Sequence, residues 1–283
     1  MRSLLRLVRY RFFVWAGLLP YLLGTAVAFH AEGSVELPIL LLGLLGLVLA
    51  FAGVEIFNEA FDPADSVSVL QPDDSTRRRP RWWWGVACFG AAFHVALYLT
   101  LLKGPWIMAI AFSGFVIAYL YVGPPIRLVY RGLGELSIFL AYGPLLVLGS
   151  YYLQTSRLDW TPLLTSLVPG TLILSLAILN EIPDYYQDML VGKRNIVARL
   201  GRRKGANVYA GAILLSYNIP AFLALASLFP LQSLSILSTL PMALWSIKRL
   251  ARDHDEPAKL LPVVNLTAIL YLVNNSLLAL SYI

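Results

Sequence analysis

Nine apolar runs, each close to the length of a membrane span, divide this chain of 283 residues, at about 12–30, 37–57, 82–101, 105–122, 135–153, 161–179, 206–228, 230–249 and 262–282. A stretch of roughly 20 mainly apolar residues crosses a hydrocarbon core of about 30 Å as a helix. The pattern therefore predicts an all-α polytopic membrane protein, with nine transmembrane helices in one bundle and cytoplasmic cap loops. Composition agrees, since 58% of residues are hydrophobic and only 13% charged, against about a quarter charged in soluble domains. The chain reads as one membrane-embedded domain over 1–283, with an internal four-helix repeat over about 12–122 and 135–249 and a ninth helix after it.

The charges orient the bundle. Alternate loops hold 20 of the 22 Lys and Arg residues. By the positive-inside rule this puts the N-terminus and both acidic motifs described below on the cytoplasmic side of the cell membrane. The surplus of +6 thus serves orientation and contact with anionic lipid, and it implies no nucleic-acid partner. Arg2, Arg6, Arg9 and Arg11 before the first apolar run imitate a secretory signal, but that run is long and eight more follow. The single cysteine, Cys88, rules out an intramolecular disulfide, and the scattered His30, His94 and His254 form no zinc signature.

Chemistry concentrates in the stretch Asn180 to Asn195, which follows the sixth apolar run. Asn180, Asp184 and Asp188 are spaced four apart, so on a helix they stack on one face. Amide and carboxylate oxygens suit a hard divalent cation such as Mg²⁺, which takes one or two carboxylates and completes its octahedron with substrate phosphate and water. Lys193 and Arg194 follow at once. Acids for a metal beside cations for phosphate describe a diphosphate site better than a cation channel, where the basic pair would repel the cargo. Pro183 is expected to break the helix, so that a new turn begins at Asp184.

A similar cluster, Asn58, Glu59, Asp62 and Asp65, closes the second run; Asn58 and Asp62 recur as Asn180 and Asp184, 122 positions on. That recurrence is the signature of a repeat. Pro63 is expected to bend or end the helix near Asp62, which separates Asp65 from the face of the others. Glu55 lies one turn before Asn58, and an ionisable group at membrane depth is a functional candidate by default. Asp73 and Asp74 read as solvated loop acids, and Trp82, Trp83 and Trp84 as an interfacial belt. Arg127 and Arg131, four apart in a glycine-bearing loop, fit a phosphate clamp and fit positive-inside charges equally well. Arg199, Arg202, Arg203 and Lys204 read as interfacial anchors. Asp253 to Glu256 read as a solvated turn, and Asn265, Asn274 and Asn275 as hydrogen-bonding residues between helices.

These residues resemble the UbiA-type intramembrane prenyltransferases over nearly the whole chain. The match is carried by Asn58-x-x-x-Asp62, by Asn180-x-x-x-Asp184-x-x-x-Asp188 with Gly192-Lys193-Arg194, and by the nine spans. Tyr130-Arg131-Gly132-Leu133-Gly134-Glu135, followed by Gly149-Ser150-Tyr151-Tyr152-Leu153-Gln154-Thr155, is similar to the 1,4-dihydroxy-2-naphthoate polyprenyltransferases of menaquinone biosynthesis. The chain departs from the family at Glu59, where a second Asp is usual, at Asp65, which falls closer in, and at Ser68, where the naphthoate enzymes place their last acid.

The resemblance implies a Mg²⁺-dependent transfer of a polyprenyl group from an isoprenyl diphosphate to an aromatic small-molecule acceptor, with no obligate protein partner. It makes Asn58, Glu59, Asp62, Asp65, Asn180, Asp184 and Asp188 metal-site residues, of which Asp62, Asp184 and Asp188 are central to catalysis. Arg127, Arg131, Lys193 and Arg194 bind diphosphate. Tyr119 and Tyr121 would shield an allylic cation with their π faces, although an aromatic belt accounts for them equally. Three alternatives stay open: another UbiA-type acceptor such as 4-hydroxybenzoate or another lipid or quinone precursor, a membrane terpene cyclase or isoprenyl-diphosphate phosphatase, and a secondary transporter. Against the last, both acidic motifs lie at helix ends on the same side, not at mid-span.

Overall fold

The structure, a computed structural model, describes residues 2–61 and 82–283. Among them there are helices and turns and no strand. The α-helices are α1 (Arg2–Glu32), α2 (Leu37–Phe61), α3 (Trp82–Lys103), α4 (Trp106–Val122), α5 (Gly134–Leu140), α6 (Leu146–Thr155), α7 (Trp160–Leu190), α8 (Ile196–Leu200), α9 (Arg202–Leu225), α10 (Leu240–Asp253) and α11 (Leu261–Leu280). Among the described residues six segments are long and apolar enough to cross a membrane: Leu37–Asn58, Trp82–Lys103, Gly134–Thr155, Trp160–Leu190, Arg202–Leu225 and Leu261–Leu280. Backbone polar groups have no water to bond in hydrocarbon, so each segment satisfies them internally.

Two apolar runs depart from plain α-helix. Between α5 and α6 lies one π turn, Ala141–Leu145, containing Pro144. Proline has no N–H for the helical ladder, and a π turn absorbs the mismatch while the segment stays continuous. The run at 230–249 is split into a 3-10 segment, Leu231–Thr239, and α10, which starts with Pro241 in its first turn and runs on to Asp253. At about 2.0 Å per 3-10 residue and 1.5 Å per α residue the two parts together still reach roughly 39 Å.

The fold is centred on α7. Of its most apolar stretch 72% is buried inside the protein, against 17% for α2 and 11% for α3, which form the periphery with α4. The main apolar core joins α7 to α1, α9 and α11 through Leu23, Leu172, Ile178, Leu179, Ile213 and Tyr271, among others. The crossing with the α5–α6 segment is backbone on backbone. A Cβ at Gly143 would stand 2.7 Å from the carbonyl oxygen of Ser166 and 2.9 Å from the Cα of Gly170, and such close approach is what small residues allow between membrane helices. Of the three asparagines of α11, Asn274 does bond between helices. Its Oδ1 accepts from Thr239 at 2.6 Å and its Nδ2 donates to the hydroxyl of Tyr217 at 3.1 Å. Asn275 donates within its own helix, to the carbonyl of Tyr271.

Candidate active site

α7 carries the second acidic motif without interruption. The break expected at Pro183 does not occur: the helix runs through Pro169 and Pro183 to Leu190. Two neighbours explain this. Ile182 and Pro183 are buried, so packing holds this turn in place. Arg202, at the start of α9, donates from Nε to the carbonyl of Ile182 at 3.1 Å and lays its guanidinium over the rings of Tyr185 and Tyr186, at 5.6 and 4.6 Å from their centroids. Pro183 withholds one N–H from the helical ladder, and packing by neighbouring elements keeps a membrane helix continuous through such a position. Asn180, Asp184 and Asp188 therefore share one helix, each step of four turning by about 40°. Arg202, expected to be a plain interfacial anchor, supports the motif helix instead; Arg203 and Lys204 are exposed.

The chain reversal after α7 brings acid and cation together. Lys193 N–H donates to the Asp188 carbonyl at 2.8 Å and Gly192 N–H to that of Met189 at 3.1 Å, with Gly192 at a φ of 77°. This is a Schellman ending, which needs a left-handed residue and so favours glycine. It folds Lys193 back over the helix end, and its Nζ lies 3.2 Å from Asp188 Oδ1. Asp188 Oδ2 accepts from Asn195 Nδ2 at 2.7 Å, while Asn195 Oδ1 accepts from Ala198 N–H at 2.7 Å and so caps α8. Asp188 is buried at 8% exposure and Asn195 at 2%. A buried carboxylate held by a cation and an amide is fixed in its orientation.

The basic loop after α4 adjoins this reversal. Arg199 Nε donates to the carbonyl of Arg194 and its Nη2 to that of Arg131, so Arg199 joins two loops and is not a simple anchor. Arg131 donates its Nε to the Ile126 carbonyl at 2.7 Å, Arg127 lies 5.9 Å from the centroid of the Tyr130 ring, and Arg127, Arg131 and Arg194 are exposed. Glu135, next along, accepts the N–H of Ile196 at the start of α8. Tyr121 packs on Gly134. Tyr119 meets Phe57, one residue before Asn58, edge-on with centroids 6.3 Å apart.

Of the first motif, α2 carries Asn58, whose Oδ1 is buried with no hydrogen-bond donor among the described residues. Asp62, Asp65, Pro63, Ser68, Asp73, Asp74 and Arg77–Arg79 lie outside the described residues, as does the side chain of Glu59. Among the described residues no three of His, Cys, Asp and Glu gather as a metal-ligand set. The oxygen chemistry nonetheless fits a hard cation, because an orphaned buried amide oxygen costs free energy unless a cation or water meets it.

Three residues that now stand out carried no assigned role from the sequence: Glu135, Glu181 and Asn195. Asn195 had a signal, since asparagine before a short helix reads as an N-cap. Trp82, Trp83 and Trp84 are exposed as a belt requires, the last two stacked at 4.3 Å. Asp253 is not a solvated turn residue: it is 4% exposed and paired with Arg249 at 2.6 Å and Arg252 at 2.9 Å.

The UbiA prenyltransferase family matches residues 17–269 of the chain. A 2-carboxy-1,4-naphthoquinone phytyltransferase of Synechocystis is 27% identical over 93% of this chain and 87% of its own length. A 1,4-dihydroxy-2-naphthoate octaprenyltransferase of Mycobacterium tuberculosis is 30% identical over 65% and 66%. In fold, the chain resembles a UbiA homologue of Archaeoglobus fulgidus solved with DMAPP and Mg²⁺, with a TM-score of 0.67, 17% identity and coverage of 96% and 98% of the two chains. With its membrane-length helices arranged around an acidic, lysine-capped helix end, the chain belongs to the UbiA prenyltransferase family and is an integral membrane prenyltransferase.

Proposed function

We propose that this enzyme transfers a polyprenyl group from an isoprenyl diphosphate to 1,4-dihydroxy-2-naphthoate. The observation that carries the reading is the pairing of Lys193 with Asp188 at the end of α7, where an anion for a metal and a cation for phosphate share one turn. The naphthoate relatives support the acceptor class. In this reading nine spans form one domain of two four-helix halves and a ninth helix. The N-terminus and the site face the cytoplasm, as the 20-to-2 division of basic residues implies.

Asn58, Glu59, Asp62 and Asp65 on one side, and Asn180, Asp184 and Asp188 on the other, would hold Mg²⁺. When bound, Mg²⁺ neutralises charge on the diphosphate oxygens and eases their departure. Lys193 and Arg194, with Arg127 and Arg131 across the adjoining loop, take up the negative charge that grows on the leaving group as the allylic C–O bond breaks and its electron pair leaves with the diphosphate. Tyr119 and Tyr121 shield the allylic cation. The apolar bundle excludes water until a ring carbon of the acceptor attacks, with loss of that carbon's carboxylate as CO₂. Membranes from a host expressing the chain, supplied with geranylgeranyl diphosphate, should form a prenylated product only when dihydroxynaphthoate is added. Prenyl alcohol or a cyclised terpene at equal rate without any aromatic acceptor would refute the assignment.

A further inference from the structure

Glu135 is the most deeply buried carboxylate among the described residues, at 1% exposure. It stands in the first turn of α5, where the helix dipole suits an acid, but the dipole gives no reason for such burial. Its Oε1 accepts the N–H of Ile196. Its Oε2 finds no N–H or O–H donor among the described residues, and neither does the buried Oε2 of Glu181 on α7. The two side chains lie within hydrogen-bonding reach of each other, and Glu181 also lies within reach of the Val197 backbone at the start of α8. Glu135 thus ties three elements together: α5, which continues the basic loop, α7, which bears the acidic motif, and the start of α8. Ile196 follows Asn195, whose amide holds Asp188 Oδ2.

We propose that Glu135 is a positioning residue for Asp188. Through the Ile196 N–H it fixes the start of α8 and so the aim of the Asn195 amide, and through Glu181 it fixes α7 beside the motif. Residues that orient a metal ligand without touching the metal commonly change metal affinity by about 10- to 100-fold when lost. The inference rests on the reading of Asp188 as a metal ligand.

Two mild substitutions separate reach from charge. Glu135→Gln keeps an acceptor for Ile196 and gains an N–H to donate to Glu181, while losing the charge. Glu135→Asp keeps the charge and is one methylene too short to meet both partners. The full chain in detergent would be titrated with Mn²⁺ and the free ion followed by electron paramagnetic resonance. Glu135→Gln should bind within about threefold of the unaltered protein, and Glu135→Asp at least about tenfold more weakly. Equal weakening in both variants, or an Asp variant that binds like the unaltered protein, overturns the proposal; a Gln variant that alone loses binding does too, and makes the Glu135 charge the active property. If the unaltered protein binds no Mn²⁺, the metal reading of Asp188 fails first, and this inference with it.

Discussion

Asn195 makes two bonds with one side chain, and they can be removed separately. Its Oδ1 caps α8 at Ala198 N–H and its Nδ2 holds Asp188 Oδ2, both at 2.7 Å. Replacing an asparagine cap by alanine costs about 1 kcal/mol, and losing a hydrogen bond to a charged group about 2 kcal/mol. Asn195→Ala should therefore destabilise the protein by about 3 kcal/mol. Serine caps as well as asparagine but is too short to reach Asp188, so Asn195→Ser should lose only the second part, about 2 kcal/mol. Unfolding of the purified protein in mixed micelles by titration with sodium dodecyl sulfate reads these differences. In both variants Asp188 keeps Lys193 but loses its fixed orientation, and the Mg²⁺ concentration for half-maximal prenyl transfer should rise by about tenfold or more. If Asn195→Ser matches the unaltered protein in both stability and Mg²⁺ dependence, Asp188 is not held by Asn195, and the geometry drawn for the second motif is wrong.

The acids themselves should be unequal in weight. Asp62→Ala, Asp184→Ala and Asp188→Ala should each lower turnover by at least about a hundredfold in protein that inserts at normal levels; Asp65→Ala should do less and Asp73→Ala almost nothing, and near-normal transfer by Asp184→Ala would remove α7 from the catalytic centre. Gly143→Leu should lower the yield and melting temperature of the protein, because even its Cβ would stand 2.7 Å from Ser166 backbone oxygen and overpacking costs about 1–3 kcal/mol or more; normal yield and melting temperature would contradict the close crossing. Single cysteines placed at Asp65 or Arg194 in a Cys88→Ser background should react with impermeant thiol reagents only in inverted vesicles, and labelling of intact cells would reverse the orientation.

Much of this protein was legible in its sequence because hydrocarbon allows little choice. A long apolar run must satisfy its own backbone, so the helices followed from composition and length. The spacing of Asn180, Asp184 and Asp188 then set one face, since helical periodicity is local. The resemblance to the UbiA family was readable for the same reason, in short motifs at helix ends. What spacing could not settle was how elements pack. Proline at 183 reads as a break when only its own residue is considered, yet α7 continues where Ile182 and Pro183 are buried and Arg202, 20 positions on, bonds the Ile182 carbonyl. Asp188 is oriented by Asn195, and the site's two loops are joined through Arg199 and Glu135. Those bonds connect residues up to 68 positions apart. Tertiary structure alone decided which polar side chains lost their water and had to find one another, because desolvation depends on what a helix packs against and no local pattern records that.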